Sequence, residues 1–255
     1  MSAEIEQFLC ASDNFGVLLH DPATGATASI DACEEAPILR ALEARGWRLT
    51  HILVTHHHDD HIAAIPALKQ RFGAQVIGPR KDAARIPGMD KSVREGDVVA
   101  VGSLEAKVFE TPGHTSGHIS FFFPREKLLF AGDTLFSLGC GRLFEGSPFE
   151  MLDSLTKLAA LPDDTALYCG HEYTLSNARF ALTVDPGNAA LKERAAEVER
   201  LRAADAFTLP STIGREKATN PFLRASDPGI AAALGLDGHP PLDVFTELRA
   251  RKNRA

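Results

Sequence analysis

Short apolar runs, of the length that is typical of β-strands, dominate the first 130 positions of the chain. We predict strands at 5–9, 15–20, 26–31, 49–55, 75–77, 97–101, 104–110, 118–123 and 127–131. Apolar residues recur near the helical period at 34–45 and 61–71, and each stretch ends at a glycine, Gly46 or Gly73. The pattern therefore predicts a mixed α and β domain with an antiparallel meander over 97–131.

The pattern changes in the second half of the chain. Ser147-Pro148 is a typical start for a helix, predicted over 149–161, and a last strand is predicted at 165–169. After that strand the pattern predicts helices alone, at 174–183, 188–205, 226–234 and 242–252. We therefore predict an α+β fold with two domains, a mixed domain over 1–171 and an all-helical domain over 172–255.

The composition is that of an ordinary globular protein of 255 residues, with 44% hydrophobic and 24% charged residues. No apolar run approaches the roughly 20 residues that a membrane span requires, and the acidic start of the chain does not resemble a secretory signal. We therefore expect a soluble, cytoplasmic protein that has no membrane partner. The formal net charge of −7 argues against nucleic acid as a partner, because binding to phosphate backbones needs a basic surface.

The cysteines are scattered along the chain, and their spacing matches neither a thiolate zinc site nor a disulfide framework. They are Cys10, Cys33, Cys140 and Cys169. Because no CxxC pair and no secretory signal is present, we expect all four to be reduced and mostly buried.

The segment Thr55-His56-His57-His58-Asp59-Asp60-His61 carries the strongest chemical signal, since it places four imidazoles and two carboxylates directly after a predicted strand. His56 and His58 are two residues apart, so in an extended segment they point the same way and can bind one ion. Asp60 and His61 lie where the chain turns into the next helix, and they would face a second point. The alternative is a solvated, histidine-rich loop. Imidazole and carboxylate ligands suit Zn(II), Fe(II) or Mn(II).

Three later residues also lie in the short turns that follow predicted strands. His114 comes after a Pro-Gly turn, Asp133 follows the strand at 127–131, and His171 follows the strand at 165–169. Each of them alone would be read as a hydrogen-bonded loop residue. Together with the histidine-rich segment they supply the number of ligands that two adjacent metal ions need.

These segments resemble the metallo-β-lactamase-fold hydrolases, and within them the glyoxalase II family of hydroxyacylglutathione hydrolases. The resemblance rests on Thr55-His56-His57-His58-Asp59-Asp60-His61, Thr111-Pro112-Gly113-His114-Thr115-Ser116-Gly117-His118, Gly132-Asp133-Thr134 and Tyr168-Cys169-Gly170-His171-Glu172-Tyr173. It continues through residues 12–15, 140–142, 219–224 and 248–252, and so spans almost the whole chain. The superfamily motif alone is moderately specific for a reaction, whereas the helical tail is highly specific for this family.

The resemblance implies a four-layer αββα metallo-β-lactamase-like sandwich with a C-terminal helical domain that binds glutathione. It also implies two divalent metal ions per chain, chiefly Zn(II), with Fe or Mn as alternatives. The implied ligands are His56, His58 and His114 for the first ion, Asp60, His61 and His171 for the second, and Asp133 for both. The implied reaction is hydrolysis of S-D-lactoylglutathione to glutathione and D-lactate by a metal-bridging hydroxide. Asp60 and Asp133 would be the catalytic residues, and Asp60 would also orient the hydroxide.

The last predicted helix carries a basic cluster in an otherwise acidic chain. From the sequence alone, this cluster would be a solvated helix end favoured by the helix dipole. The resemblance instead assigns Arg249 and Lys252 to the glycine carboxylate of the glutathione thioester, with Tyr173 near the thioester. The chain has Arg142 and Phe144 where lysine and tyrosine are frequent in the family, so we expect a weaker or altered affinity for glutathione.

Two alternatives belong to other classes of protein. An iron-dependent persulfide dioxygenase of the same fold could use His56, His114 and Asp133 alone, but it would leave the second ligand set unexplained. A structural metal module is disfavoured because structural zinc sites are usually closed and rich in cysteine. We expect the protein to act on a small molecule and to be a monomer.

Overall fold

The computed structural model describes residues 3–255 and forms two compact units. The first unit runs to Glu110 and includes Ser116–Gly132, and the second consists of Thr111–Thr115 and Asp133–Ala255. The predicted domain boundary between residues 171 and 172 comes from the sequence pattern and stays a prediction.

The first unit contains a mixed sheet of six strands. They are, in spatial order, β1 (Glu4–Cys10), β2 (Asn14–Asp21), β3 (Ala26–Ile30), β4 (His51–Leu53), β5 (Gln75–Pro79) and β6 (Lys91–Val93). Strands β1 to β3 are antiparallel, and β3 to β6 run parallel. The parallel strands place the residues that follow them at one edge of the sheet, which is where ligand-binding residues commonly lie.

The predicted antiparallel meander is confirmed. It consists of β7 (Val98–Val101), β8 (Leu104–Glu110), β9 (Ile119–Phe123) and β10 (Leu128–Phe130). The three phenylalanines of β9 are at most 6% exposed, so this strand is buried on both of its faces.

The helices of this unit are α1 (Glu35–Arg45), α2 (Asp59–Ile62) and α3 (Ile65–Phe72), and a 3-10 turn covers Arg80–Asp82. The single helix predicted over 61–71 is therefore wrong, because two helices cover this region. Pro66 explains the break: it lies in the first turn of α3, where its missing N–H costs nothing, whereas in the interior of one long helix it would remove a hydrogen bond. Gly46 and Gly73 end their helices with a φ of 67°, as predicted.

The second unit is mostly helical. Its elements are β11 (Leu135–Phe136), β12 (Gly139–Cys140), α4 (Pro148–Ala159), β13 (Ala166–Tyr168), α5 (Thr174–Val184), α6 (Ala189–Ala203), β14 (Ser211–Thr212), α7 (Ile213–Thr219), α8 (Pro228–Leu234) and α9 (Pro241–Arg254). Ser147 begins α4 with a capping box, in which it exchanges hydrogen bonds with Glu150. The prediction of helices alone after residue 173 is wrong for β14, which pairs with β13. The sequence pattern also missed α7 and the short hairpin of β11 and β12.

The structure joins Cys10 and Cys33 in a disulfide, so the expectation of reduced thiols is wrong for this pair. Cys140 and Cys169 are free thiols and are buried, as expected. Across residues 3–255, none of the helices is both long enough and apolar enough to cross a bilayer.

Candidate metal centre

The ligand candidates of the first unit lie in the segment that leads from β4 into α2. His56 and His61 are almost fully buried, His58 is partly buried, and the side chain of Asp60 is 45% exposed. Nε2 of His56 lies 3.1 Å from Nδ1 of His58. His57 turns away from them, and its Nδ1 lies 3.1 Å from the buried carboxylate of Asp82. The segment thus presents two neighbouring imidazoles on one side, with the intervening histidine held elsewhere.

Asp31, the residue that follows β3, holds this segment in place. Its Oδ1 accepts a hydrogen bond from the backbone N–H of Thr55 (2.7 Å), and its Oδ2 accepts one from the Thr55 hydroxyl (2.8 Å). The same Oδ2 lies 2.8 Å from Nδ1 of His61. A carboxylate at Nδ1 fixes the orientation of an imidazole and directs Nε2 toward a metal, which is a common arrangement around metal ligands.

Two further polar residues orient ligand candidates in the same way. The Thr55 hydroxyl lies 3.0 Å from Nδ1 of His56. The side-chain amide of Asn14 donates to Oδ2 of Asp60 at 2.9 Å. Sequence reasoning assigned no role to Asp31 or Asn14, although Asn14 lies in a segment that carries the family resemblance. The signal in the sequence for Asp31 was its position at the end of the strand predicted over 26–31.

The ligand candidates of the second unit are His114, Asp133 and His171, each about 5% exposed. Oδ2 of Asp133 lies 3.5 Å from Nε2 of His114 and 3.3 Å from Nε2 of His171. Nδ1 of His114 lies 2.9 Å from the backbone carbonyl of Arg142, which leaves Nε2 directed toward the carboxylate. A Cβ on Gly141 would collide with the backbone carbonyl of Asp133, so only glycine permits this close approach.

Ligand atoms of the candidates gather in three groups, and within each group they all lie within 4.8 Å of one another. The groups are His56, His58 and His114; His56, His61 and Asp133; and Asp60, His61 and His171. Each of the seven predicted ligands belongs to at least one group. Because the donors are imidazole nitrogens and carboxylate oxygens, the set fits Zn(II), Fe(II) or Mn(II) and suits more than one ion.

Aromatic rings contact two of the ligand candidates, His114 and His171. Tyr173 stacks on His171 with ring centroids 4.6 Å apart, and Phe136 meets His171 edge-on. Phe144 contacts His114 edge-on at 5.2 Å while remaining 64% exposed. Tyr173 is itself 37% exposed. Both exposed rings therefore lie beside a ligand candidate, where a bound molecule could contact them.

Two of the basic residues of α9, Arg249 and Lys252, are not part of a simple solvated helix end. Arg249 is buried, its Nη1 donates to the carbonyl of Cys140 at 2.7 Å, and its guanidinium lies over the ring of Phe222. Lys252 is half-buried, and its Nζ donates to the hydroxyl and carbonyl of Ser176 at 2.8 and 3.1 Å. Burial and the charges of Arg249 and Arg142 lower the pKa of Lys252 to about 8. This excess of positive charge favours the binding of an anion.

Comparisons with known proteins agree with this geometry. Residues 16–171 match the metallo-β-lactamase superfamily, and residues 172–255 match the hydroxyacylglutathione hydrolase C-terminus. The chain is 61% identical to the hydroxyacylglutathione hydrolase of Rhizobium meliloti (strain 1021), over 98% of each chain. It is 60% identical to that of Bradyrhizobium sp. (strain ORS 278), over 100% of each chain.

The fold is also similar to solved structures. The crystal structure of ETHE1 from Myxococcus xanthus matches with a TM-score of 0.68 and 29% identity, and the match covers 98% of both chains. The match to the superfamily and the likeness to this structure confirm the predicted α+β metallo-β-lactamase fold with its C-terminal helical segment. The full-length similarity places the chain more narrowly: it belongs to the hydroxyacylglutathione hydrolases of the metallo-β-lactamase superfamily.

Proposed function

We propose that this protein hydrolyses S-(2-hydroxyacyl)glutathione thioesters, chiefly S-D-lactoylglutathione, to glutathione and D-lactate, the second step of methylglyoxal detoxification. The observation that carries the proposal is the similarity to hydroxyacylglutathione hydrolases along the whole chain, at 61% identity. Such a similarity includes the helical tail as well as the metal-ligand motifs, and the tail is the part that distinguishes this family from other members of the superfamily.

We further propose that two divalent ions bind in the candidate metal centre, with zinc as the ion in the cell. His56, His58 and His114 would hold one ion, Asp60, His61 and His171 would hold the other, and Asp133 would be a ligand of both. Bound divalent ions would supply a water of lowered pKa and would polarise the carbonyl of the thioester. The grouping of these nitrogen and oxygen donors within 4.8 Å supports the assignment.

The side chains of the protein supply position and charge for this reaction. Asp60, whose Oδ2 is held by the amide of Asn14, accepts a hydrogen bond from the attacking water and so fixes its direction. Asp31 and Thr55 keep His61 and His56 in fixed orientations, which limits the reorganisation needed when substrate binds. Because these partners are held by the fold, the catalytic groups are ordered before the substrate arrives.

We assign binding of the glutathione part to Arg142, Arg249, Lys252 and Tyr173. Burial, and then the charges of Arg249 and Arg142, lower the pKa of Lys252, and a substrate carboxylate would offset the repulsion among these cations. Arg249 also fixes the Cys140 carbonyl, so it positions the loop that carries Arg142. Tyr173, which stacks on His171, is placed to contact the thioester beside the metal ligands.

The experiment compares two thioesters of D-lactate, one with glutathione and one with N-acetylcysteamine, which lacks the glycine carboxylate. Loss of thioester absorbance is followed with protein that holds two zinc ions per chain. We expect fast cleavage of the glutathione thioester and a much lower kcat/KM for the other. Absence of cleavage of either compound by zinc-replete protein would contradict the proposal.

The alternative activity, an iron-dependent persulfide dioxygenase, is less well supported, because it does not need Asp60, His61 and His171. Oxygen uptake with glutathione persulfide by the iron-loaded protein would be the result that favours it. A monomeric state and a cytoplasmic location are further parts of our proposal, and they are tested by light scattering of the purified protein and by fractionation of cells.

A further inference from the structure

The hairpin of β11 and β12, residues 135–140, connects two parts of the proposed active site. Asp133 lies two residues before it, and Arg142 lies two residues after it. Each strand of the hairpin has only two residues, and Leu138 in its turn has a positive φ of 59°. So short a ladder provides few hydrogen bonds of its own, and its backbone groups must be satisfied by other partners.

Side chains from later in the chain satisfy the backbone carbonyls of the hairpin. Nδ2 of Asn220 donates to the carbonyls of residues 136 and 139 at 3.1 and 3.0 Å. Nδ2 of Asn177, in α5, donates to the carbonyl of residue 137 at 3.1 Å, and Arg249, in α9, donates to that of residue 140. The carbonyls of residues 136, 137, 139 and 140 thus accept hydrogen bonds from side chains that lie 40 to 109 positions later in the chain.

Glu216, in α7, is fully buried at the centre of this arrangement. Its Oε2 accepts hydrogen bonds from the backbone N–H of Leu138 at 2.7 Å and from Nδ2 of Asn220 at 3.1 Å. Its Oε1 accepts from the hydroxyls of Ser137 at 2.9 Å and Ser211 at 2.5 Å. One carboxylate therefore holds the turn of the hairpin and also the amide that binds its two strands.

We propose that Glu216 and Asn220 are positioning residues, which fix the hairpin so that Asp133 and Arg142 are held at the distances that metal and substrate binding require. The proposal rests on the proposed function for the identity of the site. It gives a role to the segment at 219–224, which carries part of the family resemblance but to which no function was assigned.

The hydrogen-bond pattern predicts how substitutions of Glu216 differ. Glu216→Ala removes the two oxygens that accept these four hydrogen bonds and leaves the N–H of Leu138 and the amide of Asn220 without this partner. Glu216→Gln can keep an oxygen toward these two donors and place its NH2 toward the two serine hydroxyls, which are able to accept instead. The glutamine variant should therefore restore most of what the alanine variant loses.

The experiment measures kcat, KM, zinc bound per chain at a fixed free zinc concentration, and Tm for each variant. For Glu216→Ala we expect weaker zinc binding and a loss in kcat/KM of about tenfold or more, because a displacement of about 1 Å at a reacting group can cost about a hundredfold in rate. Asn220→Ala removes the hydrogen bonds to the carbonyls of residues 136 and 139 and should give a loss of the same kind. Glu216→Gln should recover most of the zinc binding and the activity.

Asn188→Ala is the matched control. Asn188 caps α6 through the N–H of Leu191, and its Nδ2 donates to the carbonyl of Ala218 in α7 at 2.9 Å, but it makes no hydrogen bond to the hairpin or to Glu216. Its substitution should therefore lower Tm while leaving zinc binding and KM unchanged. If Glu216→Ala fails to fold, Asn220→Ala decides the question. Wild-type zinc binding and kinetics in Asn220→Ala would overturn the proposal, as would equal changes in Asn188→Ala at a similar Tm.

The zinc measurement separates this inference from the proposed function. If the wild-type protein cleaves no glutathione thioester, the proposed function fails, yet zinc binding by the variants still tests whether the hairpin positions Asp133. If the wild-type protein is active and the hairpin variants bind zinc and substrate normally, only the positioning role fails.

Discussion

The charge of Lys252 should set an upper pH limit on binding of the substrate. Burial and the neighbouring Arg249 and Arg142 lower its pKa from the usual 10.5 to about 8. A lysine loses its positive charge as the pH rises through its pKa, so the cation that we assign to the glycine carboxylate disappears just above neutral pH. An ordinary exposed lysine would stay charged until about pH 10.

The size of the effect follows from this pKa. With a value of about 8, roughly nine tenths of the Lys252 side chains are charged at about pH 7 and roughly one tenth at about pH 9. If only the charged form binds the carboxylate, kcat/KM falls roughly tenfold over this interval. Full loss of one charge-assisted hydrogen bond is worth about 1.5–3 kcal/mol, or roughly a tenfold to hundredfold rise in KM, and partial exposure of Lys252 favours the lower end.

The assay is the pH dependence of kcat/KM for S-D-lactoylglutathione, which reports ionisations of the free enzyme and the free substrate. Lys252→Arg is the matched control, because a guanidinium keeps its charge throughout this range. Ionisation of the substrate and of the metal centre affects both proteins alike, so the difference between the two profiles isolates Lys252. A wild-type profile that coincides with that of Lys252→Arg would refute the reasoning.

Three other substitutions test separate parts of the site. Asp133→Ala should abolish turnover and lower the zinc content, because Oδ2 faces both His114 and His171; normal zinc content by elemental analysis would contradict its role as a ligand. Asp31→Asn can keep its oxygen toward the N–H of Thr55 but then directs its NH2 group toward Nδ1 of His61, which favours a proton on Nε2; we therefore expect about tenfold to hundredfold weaker zinc binding, measured by zinc titration, and unchanged zinc binding would contradict the role of Asp31. Phe144→Tyr supplies the hydroxyl that is frequent in the family and should lower KM about tenfold at most; an unchanged KM would show that this position does not contact glutathione.

The sequence predicted the ligand candidates because each of them lies in a short segment that follows an apolar run, and the end of a strand can be read from local pattern. It did not predict Asp31 as the residue that orients His61, although the two are only 30 positions apart. Their contact depends on β3 and β4 being neighbours in the sheet and parallel, and the order of strands is not encoded in the local period of a sequence.

The same limit applies to the disulfide and to the short elements. Cys10 and Cys33 are separated by 23 positions without a recognisable spacing, so only the fold shows that they meet. The strands of the hairpin over 135–140 are too short for an alternating pattern to be visible. The break before α3 could have been predicted from Pro66, since proline is favourable in a first turn and unfavourable inside a helix.

The residues that position the ligands follow a common principle in both halves of the chain. Asp31 satisfies a backbone N–H and orients an imidazole, and Glu216 satisfies a backbone N–H and holds an amide that binds two carbonyls. Neither is a proposed metal ligand, and both are buried carboxylates surrounded by donors. A buried carboxylate is stable only when such donors are present, so its loss disturbs several groups at once. In our proposal the helical segment therefore places Asp133 as well as binding substrate, which gives a role to Asn220, whose buried side chain lies in a segment that carries the family resemblance.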